Sequence, residues 1–182
     1  MFAQSSLFGI LVGSALALPI NEPSFTLTAD GAVALAVHGR EAQFGVVRTD
    51  SQDHPTITIA LGATSAEAAL SFYMHGDRLP AVGRYPVRPH GVEESPRERF
   101  FHPCLVAGSV ERPTGVFHGE SGWVTITRSA DGWLAGEFEL QARGFLATDL
   151  SDEDQWVTVR GRFEARGDST VTSVASLSPP AR

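Results

Sequence analysis

Apolar and polar residues alternate over short runs along most of the chain, and Gly, Pro, Asp and Asn separate the runs. A two-residue period is typical of β-strands with one buried face, and the separating residues are those of tight turns. No segment keeps a 3.6-residue apolar period, and only residues 65–70 have a helical composition, which also fits the start of a strand. The pattern therefore predicts an all-β fold, an antiparallel β-sandwich or partly closed barrel of about nine or ten strands. The predicted strands are 25–29, 32–38, 43–48, 56–61, 69–75, 82–87, 100–107, 123–128, 134–142 and 156–166.

The register of the last three predicted strands can be tested against burial. A two-residue turn at 131–132 would place Glu137 and Glu139 opposite buried apolar positions, and so would bury two carboxylates. A three-residue loop at 130–132, with Gly132 in the left-handed conformation of a G1 bulge, shifts the pairing by one residue and avoids this. The register that follows pairs Ile126 with Gly136, Val124 with Phe138, Glu139 with Arg160, Glu137 with Arg162, and Arg143 with Trp156.

The N-terminal part carries an apolar run at 7–17, with Ala15 and Ala17 in the A-x-A arrangement that signal peptidase accepts. The run is shorter than the ~20 residues that span a bilayer. We predict a signal peptide at 1–17, a single β-sandwich domain at 18–175 and a flexible tail at 176–182. The expected location is the periplasm or the medium. Because no Lys or Arg precedes the run, a buried N-terminal strand or a mis-set start codon is the alternative.

The composition narrows the range of functions. With 182 residues, 42% hydrophobic and 19% charged, the chain fits one globular domain. Its net charge of −7 opposes binding to nucleic acid or to an anionic membrane surface. All 14 basic residues are arginines, which excludes lysine Schiff-base chemistry and the phosphate-loop lysine. Cys104 is the only cysteine, so the domain forms without an intrachain disulfide.

Candidate catalytic groups are few. Glu137 and Glu139 lie two apart on one strand and resemble a glycosidase carboxylate pair, but the predicted register gives each an arginine partner on a solvent-facing ladder. The string at 119–123 begins like a nucleophile elbow but departs from the motif at its fifth position and precedes a strand. No dinucleotide fingerprint, phosphate loop or H-E-x-x-H motif occurs. We therefore predict neither an enzyme nor a cofactor.

Two places carry possible metal ligands. His102 and Cys104 would share one face of a strand, as half of a zinc or copper site. The favoured interpretation is a buried small thiol beside a surface histidine, because the remaining histidines are isolated in sequence. The acidic loop at 149–154 is a calcium candidate through Asp149, Asp152 and Asp154, and a solvated acidic turn is the favoured interpretation there.

Three tryptophans fall on the polar side of their predicted strands. Trp123, Trp133 and Trp156 are the candidate ligand-binding residues, because exposed aromatic rings on a sheet face are typical of carbohydrate or protein contacts. The alternative is that the proline-rich segment 76–118, predicted to be loop-rich, folds over that face and buries them.

The chain also resembles a group of uncharacterised, exported bacterial β-sandwich proteins. The resemblance covers roughly residues 56–166 and follows the order Gly-x-Tyr, Val-x-Ile-Thr, Gly-x-Phe and Val-x-Val-x-Gly-x-Phe. It implies the fold and export, and no activity. The matching positions are Gly83, Tyr85, Val124, Ile126, Thr127, Gly136, Phe138, Val157, Val159, Gly161 and Phe163.

Together these features predict a non-enzymatic binding or structural module whose partner is a protein, a glycan or a small molecule. A small-molecule carrier with a lipocalin-like cavity is the first alternative, and a metal-dependent hydrolase is the second. Inward positions such as Val124, Phe138 and Phe163 are bulky enough to fill the interior, which favours a packed sandwich over a carrier.

Overall fold

The computed structural model describes residues 22–48, 55–92, 98–148 and 154–167, and these ranges contain ten β-strands and no helix. The all-β prediction is confirmed. The strands are β1 (Ser24–Gly31), β2 (Leu35–Gly39), β3 (Ala42–Val47), β4 (Thr56–Leu61), β5 (Ala68–His75), β6 (Gly83–Pro86), β7 (His102–Ser109), β8 (Arg112–Ala130), β9 (Trp133–Leu146) and β10 (Gln155–Gly167). The signal peptide and tail predictions lie outside the described residues.

All ten strands belong to one sheet that is partly ring-like. Antiparallel pairing links β3, β4, β5, β7, β8, β9 and β10 in turn. β10 then returns to β3 through a short parallel contact, Arg166 with Gln43 and Gly167 with Phe44. Most of β10 pairs instead with β1, which carries β2 on its other side. β6 pairs with the C-terminal half of β8.

The main difference from the predicted elements lies in the proline-rich segment. Residues 76–118 contain β6, β7 and the first part of β8, which begins at Arg112 and not at residue 123. Pro113 lies beside the irregular pairing at Ala107 and Gly108, where a strand can lack a regular amide donor. Residues 68–70, within the segment of helical composition, belong to β5.

The turn between β8 and β9 differs from the predicted loop. Asp131 and Gly132 form a two-residue turn in which both have positive φ, 57° and 75°, as a type I′ turn requires. The predicted three-residue loop is therefore wrong. A bulge at Thr127 adds one residue to β8 and restores the pairing that burial demands. The predicted pairs are confirmed: Ile126–Gly136, Val124–Phe138, Glu139–Arg160, Glu137–Arg162 and Arg143–Trp156.

Aromatic side chains fill the interior. Phe72 of β5 lies at the centre, with its ring centroid 5.9 Å from that of Phe101, 5.1 Å from Phe138 and 6.2 Å from Phe163. All four rings are buried and belong to one continuous hydrophobic cluster. Since burial of a phenyl side chain contributes about 1.5–3 kcal/mol, this cluster is a major part of the folding free energy.

On the inner side of the sheet, two phenylalanines each lie opposite a glycine of the neighbouring strand. Phe138 pairs with Gly161, and Phe163 pairs with Gly136, so the two pairs are reciprocal between β9 and β10. A Cβ at Gly161 would lie 2.6 Å from Cζ of Phe138, and one at Gly136 would lie 3.0 Å from Cζ of Phe163. Each phenyl ring therefore occupies the space over a residue that has no side chain.

Candidate functional site

The outward side of β8, β9, β10, β1 and β2 forms a continuous polar surface, which we call the ladder face. Its side chains alternate with the buried ones of the same strands, so they point away from the core. Two neighbouring rows cross it from strand to strand. One row is Trp123, Glu139, Arg160 and Thr28, and the next is Thr125, Glu137, Arg162, Thr26 and His38.

A groove of about 650 Å³, the Trp123 groove, opens on this face. The Trp123 indole is 43% exposed. The guanidinium of Arg84, on β6, lies 4.2 Å from the centroid of the indole and holds the ring in place through a cation–π contact. The solvent-accessible side chains around the groove in the described part are those of Arg84, Trp123, Thr125, Glu137, Glu139, Gln141 and Arg160, and the buried Phe138 and Leu140 lie at its base.

A second groove of about 660 Å³, the His38 groove, adjoins the first toward β1 and β2. Glu137 lines both grooves and so forms their common wall. The bulged Thr127 also lines the second groove. Its other polar side chains in the described part are those of Ser24, Thr26, His38, Arg40, Arg162 and Glu164.

The charged side chains of the ladder face are only partly paired. Arg160 donates from Nε to Oε1 of Glu139 at 3.1 Å. Glu137 and Arg162 lie opposite each other in register, but neither takes part in an ion pair among the described residues. Exposed ion pairs contribute 0 to about 1 kcal/mol, so these groups can exchange partners with a ligand at little energetic cost.

The three candidate tryptophans do not form one aromatic patch. Trp133 lies half-buried at the β8–β9 turn, with the guanidinium groups of Arg128 and Arg166 at 5.7 and 5.9 Å from its ring centroid. Trp156 is 50% exposed and lies opposite Arg143 at the other end of β9. Ten residues at about 3.4 Å each separate these two positions by about 34 Å along the strand. Trp123 lines the Trp123 groove, whereas Trp133 and Trp156 line neither this groove nor the His38 groove.

Arg143 is engaged by carboxylates and not by the opposing Trp156 ring. Its Nη1 donates to Oδ2 of Asp154 at 2.9 Å, and its Nε donates to Oε1 of Glu120 at 3.1 Å. The negative charge of Asp154, and to a smaller extent that of Glu120, raises the pKa of the guanidinium. Asp149 and Asp152 of the calcium candidate lie outside the described residues, while Asp154 has this arginine as its partner.

A third hollow, of about 550 Å³, opens on the outer side of β4, β5, β7 and β8, and of its lining residues the sequence pattern predicts only that His102 and Cys104 share a face. It brings together His75, His90, His102 and His118 with Cys104. These histidines are isolated in sequence, and only the pairing of the strands aligns them, for example His118 opposite Cys104. The sequence alone does not show which strands pair, and this pairing is what brings the histidines together.

The structure corrects the predicted surface position of His102, which is buried with 7% exposure. Its Nδ1 lies 3.1 Å from the carbonyl oxygen of Arg88, and because a carbonyl only accepts, Nδ1 is the donor. Partial burial raises the pKa of the Cys104 thiol. Within the described ranges, no three His, Cys, Asp or Glu side chains are grouped so that they could hold a metal ion.

Neither a protein-family model, a curated protein nor a solved structure matches this chain. The resemblance to exported bacterial β-sandwich proteins stays a prediction. In the described part of the chain, no helix has the length and hydrophobicity needed to cross a membrane.

Proposed function

We propose that the protein is a non-enzymatic binding module that takes a carbohydrate ligand in the Trp123 groove. The observation that carries the proposal is the exposed Trp123 ring, fixed by Arg84 at the edge of a groove lined with polar side chains. An indole face packs well against the C–H face of a sugar ring, and a ring already held in place loses little entropy on binding.

The other lining groups suit hydroxyl-rich ligands. The indole ring is surrounded by a carboxylate, an amide, a guanidinium and a hydroxyl group, which belong to Glu139, Gln141, Arg160 and Thr125. Gln141 is oriented by donation from Nε2 to Oγ1 of Thr158 at 2.9 Å. Polar groups of both kinds, donors and acceptors, are what sugar hydroxyls require.

The alternatives have less support. The aromatic cluster around Phe72 occupies the interior where a lipocalin-like carrier would hold its ligand. A glycosidase needs a general acid kept protonated by an apolar environment, whereas Glu137 and Glu139 are both exposed. The apolar run at 7–17 supports export, so we propose that the ligand is met outside the cytoplasm.

Binding should be measured by affinity electrophoresis and isothermal titration calorimetry of the full-length protein with soluble β-glucan, xylan, mannan and glycol chitin. We expect one of them to bind, and Trp123→Ala to weaken its binding at least tenfold, about 1.4 kcal/mol. Trp156→Ala is the matched control, since Trp156 is at least as exposed as Trp123 but lies outside the groove. Binding by none of the four, or equal loss in both variants, would contradict the proposal.

A further inference from the structure

We infer that the ligand is an uncharged, linear oligosaccharide that lies across the strands and occupies the Trp123 groove and the His38 groove together. This inference rests on the proposed function and specifies the length, direction and charge of the ligand.

The geometry of the ladder face sets the length. Trp123 is on β8 and His38 is on β2, with β9, β10 and β1 between them. Four inter-strand spacings of about 4.8 Å separate the two side chains by about 19 Å. This distance exceeds the length of a disaccharide, so a ligand that contacts both side chains is a chain of several sugars.

The side chains of the wall between the two grooves can bind the middle sugars of such an oligosaccharide. Glu137 lines both grooves, and Arg162 lies opposite it on β10. Neither side chain is in an ion pair among the described residues, so their hydrogen-bonding groups are directed to solvent or to a ligand. A sugar above this wall can accept from the guanidinium and donate to the carboxylate.

The charge of the ladder face favours an uncharged chain. Four arginines (Arg40, Arg84, Arg160, Arg162) and three glutamates (Glu137, Glu139, Glu164) line the two grooves in the described part. Both signs occur along the two grooves, so a polyanion would be repelled by the glutamates and a polycation by the arginines. Hydroxyl groups can donate and accept, and they fit both kinds of side chain.

The test uses full-length protein and calorimetry with chito-oligosaccharides and cello-oligosaccharides of two to six residues. We expect the affinity in one series to rise at least tenfold from the dimer to the pentamer and then to level off. His38→Ala and Arg162→Gln should weaken pentamer binding at least threefold and leave dimer binding unchanged. His118→Ala is the control, because this histidine is exposed on the outer surface away from both grooves.

The outcomes separate this inference from the proposed function. If the dimer and the hexamer bind equally and Trp123→Ala abolishes both, the inference is wrong while the proposed function stands. Equal weakening of dimer and pentamer by His38→Ala also overturns it, as does a preference for an oligogalacturonate over both uncharged series. If no polysaccharide binds through Trp123, the proposed function fails and the inference with it.

Discussion

Cys104 shows how the position of one residue decides its chemistry. In sequence it is a lone cysteine next to a proline, and its reactivity cannot be read from that context. In the fold it is half-buried on β7, between Ser71 of β5 and His118 of β8. Burial raises the pKa of its thiol, since the thiolate is poorly solvated there.

Alkylation should reveal this shift. At pH 8 a thiol with a raised pKa holds less thiolate, so iodoacetamide should modify Cys104 about tenfold more slowly in the native protein than in urea. Mass spectrometry reports the rate directly, because the chain has one cysteine. Native alkylation as fast as in urea would mean that the neighbouring imidazoles stabilise the thiolate, against our interpretation.

The residue pairs illustrate what burial patterns can predict. The pairing of Glu139 with Arg160 followed from matching the apolar faces of two strands, and the structure confirms it. The partner of a flexible side chain does not follow from register alone. Arg143 lies opposite Trp156 as predicted, yet its guanidinium reaches Glu120 and Asp154.

At the scale of one hairpin, β8 and β9 reach the required pairing through two local features. If β8 were regular, the two-residue turn at Asp131 and Gly132 would set a register in which Glu137 and Glu139 lie opposite buried apolar residues. The bulge at Thr127 shifts the register by one residue and prevents this. The burial pattern predicts the correct pairing, but the extra residue lies in β8 and not, as predicted, in the loop. Burial requires one extra residue between the paired segments and does not specify its position.

Substitution of Gly132 measures the backbone strain of the turn separately from packing. A Cβ at Gly132 meets nothing within 4 Å, so only its φ of 75° opposes a side chain. We expect Gly132→Val to lower the free energy of unfolding by about 1–2 kcal/mol, and Gly132→Asn by much less, because Asn tolerates this conformation. Urea denaturation measures both. Equal effects of the two substitutions would contradict the left-handed conformation of Gly132.

At the scale of the whole molecule, the shortest strand contact that completes the ring within the described residues is the one between β3 and β10. β9 pairs along most of its length with β8 on one side and β10 on the other, whereas two residue pairs join the described parts of β3 and β10. Local opening occurs first where few hydrogen bonds and contacts must be broken.

Hydrogen exchange should locate this junction. We expect the amides of β3 to exchange at least tenfold faster than those of β9 under native conditions, because β3 has a full-length partner only in β4 among the described strands, whereas β9 has a long partner on each side. Exchange measured by mass spectrometry on peptic peptides covers both strands. Similar protection of the two strands would show that the ring opens only as a whole.

The fold class and the number of strands could be predicted because they depend on local alternation of apolar residues. Closure of the ring could not be predicted, because it depends on which strand edges meet, for example at the pairing of Gly167 with Phe44. The same holds for the grooves. The alternation of apolar residues predicts Trp123 on the polar side of its strand and leaves burial under residues 76–118 open as the alternative, whereas the structure leaves the ring 43% exposed. The proximity of Trp123 to Arg84 and Glu137 exists only once β6, β8 and β9 lie side by side.

The pairing of β1 with β10 also determines how the molecule would respond to mechanical force. Ser24, where β1 begins, lies opposite Glu164, near the point where β10 ends. A force applied at these two positions therefore pulls the two strands apart from one end and breaks the hydrogen bonds between β1 and β10 one after another. In a shear geometry all of these bonds would carry the load together. Although its core is densely packed, this domain should yield at low force when it is held by both ends.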